Sequence, residues 1–149
     1  MSKFRNLVTE KLLHLAPKNY FDTFRKYFFK YFSNLLFNIF NVGESCSVYV
    51  GFKNDEFTHG SKEPTDSEPC VIEIRMNDRG ETYDEAKYKK LVDEIKKQLN
   101  LDFKITAGSI PLAYYNTDPL NMLILLSCEA TFGEISNVAT ALELMNPKD

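Results

Sequence analysis

The sequence lacks the paired cysteines and histidines from which compact metal sites and disulfide scaffolds are built. Its three cysteines, Cys46, Cys70 and Cys128, are far apart and form no C-x-x-C pair. His14 and His59 are the two histidines, and they match no H-x-x-x-H or Cys/His spacing. These absences exclude a locally encoded zinc motif and a dense disulfide framework. We therefore expect no metal site, and three reduced thiols in a cytosolic protein.

Glycine-rich phosphate loops and long apolar runs are also missing. The six glycines are scattered singly, so there is no P-loop, G-x-G-x-x-G or G-x-S-x-G motif. The uncharged stretch 31–43 is interrupted by three asparagines, and a membrane span needs about 20 apolar residues. Residues 1–16 hold no unbroken apolar core of the kind a signal peptide needs. We therefore expect a cytoplasmic protein with no catalytic residues and no cofactor.

Charge and aromatic residues are distributed unevenly along the 149 residues. Residues 1–42 carry seven Lys/Arg against two acids, together with eleven of the twenty aromatic residues. Residues 43–149 carry eleven Lys/Arg against nineteen acids, and the whole chain has a net charge of −3. A general polycationic nucleic-acid binder is excluded by that balance. We predict a basic aromatic helical segment (1–42) and an acidic body (43–149) within one folded unit.

The basic segment contains two helical patterns. Residues 3–15 place apolar side chains at helical spacing, and Pro17 ends that helix because proline has no amide proton to donate. Residues 20–41 carry the strongest stripe of the chain, which runs from Phe21 to Ile39. Tyrosines and further phenylalanines flank the stripe and leave a narrow polar face. We expect Gly43 to end this second helix.

The acidic body alternates strand-like and helical patterns. Thr82–Glu85 and Thr131–Glu134 match the capping box that opens a helix. The run 120–131 is almost continuously apolar, which is typical of a strand covered on both faces. We predict strands at 45–52, 70–76, 103–115 and 120–131, helices at 83–99 and 132–145, turns at 77–81 and 116–119, and a flexible polar loop at 53–69.

The order α-α-β-β-α-β-β-α predicts an α+β fold. Its sheet has about four mainly antiparallel strands, with the helices packed on one face.

The aromatic helix 20–41 admits three interpretations. It could lie on a membrane surface, or bind nucleic acid through Arg25, Lys26 and Lys30 with tyrosine stacking. We favour a third, in which surplus apolar surface meets another subunit or another protein, because leftover aromatic surface is the usual mark of an interface. The interface candidates on this helix are Tyr20, Phe24, Tyr27, Phe28, Tyr31, Phe32 and Phe40.

The loop 53–69 holds five acids whose spacing does not match a calcium-binding loop. They are either solvated or form an acidic contact surface for a basic partner. Cys70 and His59 are conceivable as a nucleophile pair, although a thiol beside a strand core is more often inert. The acidic interface candidates are Asp55, Glu56, Glu63, Asp66 and Glu68.

One family resemblance covers about residues 70–131. The run V-I-E-I-R, the lysine-rich helix D-E-A-K-Y-K-K-L-V-D-E-I-K-K-Q-L and the stretch from I-T-A-G-S to S-C-E-A-T resemble the layout of tailed-phage neck and tail-terminator proteins. The resemblance is one of pattern and assigns no residue a role. It implies a ring-forming structural protein of the virion that caps a tail tube and contacts the head connector.

Three functional hypotheses follow, of which an enzyme that uses Cys70 or the carboxylates of loop 53–69 ranks last. The first is a non-enzymatic assembly protein that forms a homo-oligomer or binds a protein partner, with a phage structural role as one form of it. The alternative is a small inhibitor, or an immunity or anti-defence protein, which binds one enzyme through its acidic surface.

Overall fold

The computed structural model describes residues 20–41, 46–54, 57, 63–79, 84–109 and 121–145. Within these residues the order is α-β-β-α-β-β-α, which confirms the predicted α+β class. The predicted helix 3–15 and turn 116–119 lie outside the described residues. The elements are α1 (Asp22–Phe40), β1 (Cys46–Phe52), β2 (Pro69–Arg79), α2 (Glu85–Leu99), β3 (Lys104–Ser109), β4 (Asn121–Thr131) and α3 (Phe132–Met145).

The four strands form one antiparallel sheet in the order β1-β2-β4-β3, which leaves β1 and β3 at its edges. β3 pairs with β4 from Lys104 opposite Ser127 to Ser109 opposite Met122. Burial alternates along β2 and β4, where Ile72, Ile74 and Leu126 are buried. Alternation of this kind gives a sheet one covered face and one open face.

That alternation corrects the prediction that residues 120–131 are covered on both faces. Ile124 and Leu126 are fully buried, but Leu123 is 41% exposed and Leu125 is half-buried. Both faces of this strand therefore carry apolar residues, but only one face is fully buried. The predicted turn at 77–81 is also wrong in its start, since β2 continues to Arg79.

Local signals explain most of the helix ends. The Thr131–Glu134 capping box is confirmed: the Glu134 amide donates to Thr131 Oγ1 at 3.2 Å, and the Thr131 amide donates to Glu134 Oε1 at 2.7 Å. The box predicted at Thr82 is wrong, because α2 begins at Glu85. Its N-cap is Asp84, whose carboxylate accepts two backbone amides at 3.0 and 3.3 Å. Aspartate is as good an N-cap as threonine, and it stands nearer the first buried turn.

Asparagine ends two helices. Asn100 stops α2 as predicted, with φ 59° and its amide donating to the Lys96 carbonyl. Asn41, with φ 62°, ends α1 in place of the predicted Gly43, which lies outside the described residues. Asparagine tolerates the left-handed conformation that a helix end needs, so the helix closes two residues before the glycine.

The chain divides into two compact units. The first unit takes its residues from Met1–Phe32, Val48–Ile72 and Glu129–Asp149, and the second takes them from Ser33–Ser47 and Glu73–Cys128. The proposed division at residue 42 into a helical segment and an acidic body stays a prediction.

Candidate interaction surfaces

Three of the predicted interface phenylalanines form a buried ladder along α1. The Phe24 and Phe28 rings stack with centroids 5.0 Å apart, and the Phe28 and Phe32 rings stack at 6.0 Å. All three are almost completely inaccessible to solvent, and Tyr27 is also buried. Residues four apart share a helix face, so the stripe that marked this helix in the sequence is its core-facing side.

A second aromatic cluster surrounds the start of α1 in the first unit. The Phe52 ring lies 4.8 Å from Phe21 and 5.5 Å from both Phe57 and Phe132. Tyr20 meets the edges of Phe52 and Phe132 at 5.7 Å. Sequence reasoning missed Phe57, although it is the one large apolar side chain in loop 53–69. Its burial shows that this part of the loop packs against the core.

In the second unit, Phe40 packs on α2. Its ring centroid lies 4.8 Å from that of Tyr88, and the Lys87 ammonium lies 5.8 Å from the Phe40 ring. Phe40 is half-buried and Tyr88 is buried. Of the seven aromatic interface candidates, Tyr20, Tyr31 and Phe40 thus retain partial exposure.

The basic residues of α1 differ sharply in accessibility. Arg25 is 4% exposed, and its Nη2 contacts Asp22 Oδ1 at 2.9 Å in an i,i+3 ion pair. Lys26 is exposed, and its ammonium lies 5.2 Å from the centroid of the buried Tyr27 ring. A nucleic-acid surface needs accessible cations and accessible rings side by side. Arg25 and Tyr27 are both buried, so they provide neither an accessible cation nor an accessible ring.

Two phenylalanines that sequence reasoning left out are the exposed aromatic residues of α1. Phe29 is 47% exposed in the first unit, and Phe37 is 50% exposed in the second. Both lie off the main stripe, at positions that the helical period places away from Phe28 and Phe32. This offset could have indicated from the sequence that the two rings are exposed. It was hard to recognise because phenylalanine occupies so many positions of this helix.

The second half of α1, which carries Phe37, has no charged residue. From Ser33 to Phe40 the helix reads S-N-L-L-F-N-I-F, whereas its first half holds Asp22, Arg25, Lys26 and Lys30. Within residues 33–41, the exposed side chains other than Phe37 are all asparagine amides. We call this set the Phe37 surface: Asn34, Phe37, Asn38 and Asn41.

The acidic candidates of loop 53–69 fall into two groups. Asp55 and Glu56 lie outside the described residues. Glu63 and Asp66 are exposed, and Glu68 is half-buried.

The turn 65–68 is fixed against the start of α3. The Phe132 amide donates to the Glu68 carbonyl at 2.8 Å, and the Gly133 amide donates to the Asp66 carbonyl at 2.9 Å. The first amides of a helix have no partner within the helix, so these two bonds satisfy both the helix end and the turn. The turn therefore has a defined position in the first unit.

Burial makes Cys70 and Cys46 poor nucleophiles. It raises the pKa of Cys70 to about 12, and the nearby Glu68 carboxylate adds to the rise. It raises the pKa of Cys46 to about 11, against an opposing hydrogen bond with Ser33. A thiol with so high a pKa carries almost no thiolate at neutral pH. The conceived partner of Cys70, His59, lies outside the described residues.

In the described part of the chain, no group of three or more His, Cys, Asp or Glu side chains is arranged to hold a metal ion. None of the three described helices is long and apolar enough to cross a membrane.

Comparison with known proteins found no match: no family model, no curated protein and no solved structure is similar to this chain. The resemblance to phage neck and tail-terminator proteins therefore stays a prediction.

Proposed function

We propose that this is a non-enzymatic assembly protein that associates with itself through the Phe37 surface. The observation that carries the proposal is Phe37, which is 50% exposed in the half of α1 that has no charged residue. Interface centres are depleted in charged residues and enriched in aromatic ones. The Phe37 surface has that composition, while the neighbouring first half of α1 does not.

The absence of charge favours a second copy over another partner. In a two-fold interface each residue near the axis meets its own copy, so a charged residue there repels itself. Asparagine amides both donate and accept hydrogen bonds, and can pair with their own copies.

Covering Phe37 in an interface would contribute an appreciable free energy to association. A phenylalanine presents roughly 200 Å² of surface, so covering the exposed half of Phe37 removes about 100 Å² from water. At about 25 cal/mol per Å², that gives about 2.5 kcal/mol per copy, or about 5 kcal/mol for a pair. Association costs at least about 4 kcal/mol in lost translational and rotational freedom, so other contacts must contribute to a stable complex. Phe37 would be the anchor of such an interface.

The finer form of the proposal is a phage structural protein of the neck or tail-terminator kind. The resemblance implies a ring-forming protein, and a ring of identical subunits requires self-association. The pattern resemblance of residues 70–131 supports this form.

The test is sedimentation velocity over a series of protein concentrations. We expect the wild type to associate as concentration rises and Phe37→Glu to remain monomeric, because the substitution places a charge at the centre of the interface. Phe29→Glu is the matched control, since it changes an equally exposed phenylalanine of the same helix. A wild type that is monomeric at every concentration refutes the proposal. Equal loss of association in both variants refutes the Phe37 surface as its site.

A second candidate function is an inhibitor that binds one basic partner enzyme. The observation that favours it is the fixed turn 65–68, which holds the exposed Asp66 in a defined position in the same unit as Glu63. Binding of this kind should weaken steeply as salt rises.

The corresponding test is a salt-titrated pull-down from cell extract. Asp66→Asn and Glu63→Gln remove charge without removing the backbone acceptors of the turn. Glu129→Gln is the control, because Glu129 is an exposed acid of the same unit that already contacts Lys53 at 3.1 Å. A captured partner that is retained equally by all three variants rules out the acidic surface.

A further inference from the structure

One edge of the sheet lacks the residues that normally keep an edge strand from pairing with another chain. In the order β1-β2-β4-β3, β1 has a described strand on one side only. Its seven residues, C-S-V-Y-V-G-F, include no charged residue and no proline. Edge strands usually carry such residues, because their free amides and carbonyls are a template for a further strand. β3, at the other edge, begins with a lysine, Lys104. Of these two edges, β1 is therefore the one suited to pairing.

The outward backbone groups of β1 follow from one hydrogen bond. The Lys53 amide, one residue beyond the strand, donates to the Pro69 carbonyl of β2 at 3.1 Å. Along an antiparallel strand the backbone groups of successive residues point to alternate sides. Tyr49 and Gly51 therefore bond to β2, as Lys53 does. The alternate residues direct their amides and carbonyls outward: Val48, Val50 and Phe52. We call the segment 48–52 the β1 edge.

We propose that the β1 edge pairs with the β1 edge of a second copy, antiparallel and about a two-fold axis at Val50. This goes beyond the proposed function, because it assigns the chain a second self-association site in addition to the Phe37 surface. All residues of the β1 edge belong to the first unit.

The hydrogen-bonding phase of the strand fits this register. With the axis at Val50, that residue lies opposite its own copy, and Val48 lies opposite Phe52 of the second copy. All three residues carry outward backbone groups, and opposite residues of this kind exchange two hydrogen bonds. The two strands thus form about six hydrogen bonds, which use every outward group of the β1 edge.

The side chains fit the same register. Tyr49 lies opposite Gly51 of the second copy, at a pair without hydrogen bonds, where opposite side chains come closest. Because glycine has no side chain, the tyrosine ring has room to cover the glycine backbone, an arrangement that stabilises edge strands. On the other face Val50 meets its own copy. Since the β1 edge has no charged residue, no like charges meet near the axis.

The contact is expected to be specific and weak. Val48 and Val50 are already only 3% and 1% exposed, so pairing removes little further apolar surface from water. Each new hydrogen bond replaces one to water and has a small net effect on the free energy of association. We therefore expect pairing at about 1 mM protein, above the concentrations at which the Phe37 surface associates. Phe37→Glu can then be monomeric in sedimentation and still pair its β1 edges at higher concentration.

Hydrogen exchange of the ¹⁵N-labelled full chain, followed by NMR at increasing protein concentration, tests the contact. We expect the protection of the outward amides of the β1 edge to rise, by about tenfold once about 90% of the chains are paired. The amides of Tyr49 and Gly51 bond to β2 and should be protected already at the lowest concentration. The result that overturns the proposal is outward amides that are unprotected at about 1 mM, or whose protection does not depend on concentration. A parallel rise along β3 would indicate pairing of β1 with β3 of another copy and would also overturn it.

The same measurement on Phe37→Glu separates this inference from the proposed function. We expect the same rise for the outward amides, because the substitution leaves the β1 edge unchanged. A rise that is lost in Phe37→Glu would overturn the β1 edge as a site of its own. A wild type that is monomeric in sedimentation but shows the rise at high concentration would refute the Phe37 surface and support the β1 edge.

Disulfide cross-linking tests the register. All chains carry Cys46→Ser, which removes the half-buried thiol, whereas Cys70 and Cys128 are buried. Tyr49→Cys chains mixed with Gly51→Cys chains should form a disulfide-linked dimer, because opposite residues without hydrogen bonds have Cα atoms about 4.5 Å apart. Tyr49→Cys alone is the matched control, since two copies of position 49 lie diagonally at about 7–8 Å, too far for a disulfide. No dimer in the mixture, or as much dimer in the control, would overturn the proposed pairing.

Discussion

Gly133→Ala should destabilise the protein, although alanine normally favours a helix by about 1 kcal/mol over glycine. The reason is space. A Cβ atom at position 133 would lie 2.9 Å from the Cβ of Asp66 and 3.2 Å from its carbonyl oxygen. Carbon atoms in contact normally stay about 3.5–4.0 Å apart, so the turn 65–68 must move away from α3.

The loss in the free energy of unfolding can be worked out from the hydrogen bonds that this movement breaks. The amides of Phe132 and Gly133 donate to the carbonyls of Glu68 and Asp66 at 2.8 and 2.9 Å. Losing both bonds costs about 2 kcal/mol, since each contributes about 1 kcal/mol net. Subtracting the gain of about 1 kcal/mol in helix propensity leaves a net loss of about 1 kcal/mol.

Urea unfolding followed by circular dichroism measures this loss. Asp66→Gly removes the Cβ and Cγ atoms that oppose the new methyl group, so it should relieve most of the clash in the double variant. Ser136→Ala, on the exposed side of α3, is the control and should gain at most about 0.5 kcal/mol. If Gly133→Ala is more stable than wild type, or if the Asp66→Gly cycle is additive, the turn does not pack on α3 as described.

Three further predictions concern the α2 cap, the thiols and the aromatic ladder. Asp84→Ala should cost about 1 kcal/mol in urea unfolding, because it removes the acceptor of two amides at the start of α2; no measurable loss would show that the cap is dispensable. The folded Cys70 has a pKa of about 12 against 9.0 for a free thiol, so its contribution to stability is complete below about pH 9 and is lost as pH rises towards 12. Cys70→Ala should therefore flatten the alkaline fall in the free energy of unfolding, measured with urea, by up to about 1.4 kcal/mol per pH unit. An unchanged slope between about pH 9 and about pH 11 would contradict the raised pKa. Phe28→Ala should cost about 3–5 kcal/mol, because a fully buried ring is lost. Phe29→Ala should cost clearly less, because that ring is 47% exposed. Equal losses would mean that the two faces of α1 are misassigned.

The fold class was predictable because it depends on local patterns. The period of apolar residues changes from helical to strand-like at about residue 45, and capping residues or asparagines mark most helix ends. The Thr131–Glu134 box acted as predicted because both of its bonds are made within four consecutive residues. The start of α2 was misplaced for a related reason, since two cap candidates, Thr82 and Asp84, compete within three residues and sequence alone does not rank them.

The candidate site was less predictable. Composition indicated surplus aromatic surface in residues 20–41, but it did not show which rings are covered. Phe28 and Phe29 are neighbours of the same type in one helix, and one is fully buried while the other is 47% exposed. The difference comes from residues distant in sequence, which determine the covered side of a helix that is apolar almost all round.

The sequence by itself determined the elements, their order and the absence of local metal, nucleotide or nucleophile motifs. These depend on residue type and short spacing, which the chain carries before it folds. Tertiary structure alone decided that the main aromatic stripe is core, that Phe37 is exposed, and that the turn 65–68 is fixed against α3. Each of these depends on packing between segments far apart in the chain: a carbonyl at residue 66 or 68 meets an amide at residue 133 or 132 only after the sheet has brought them together.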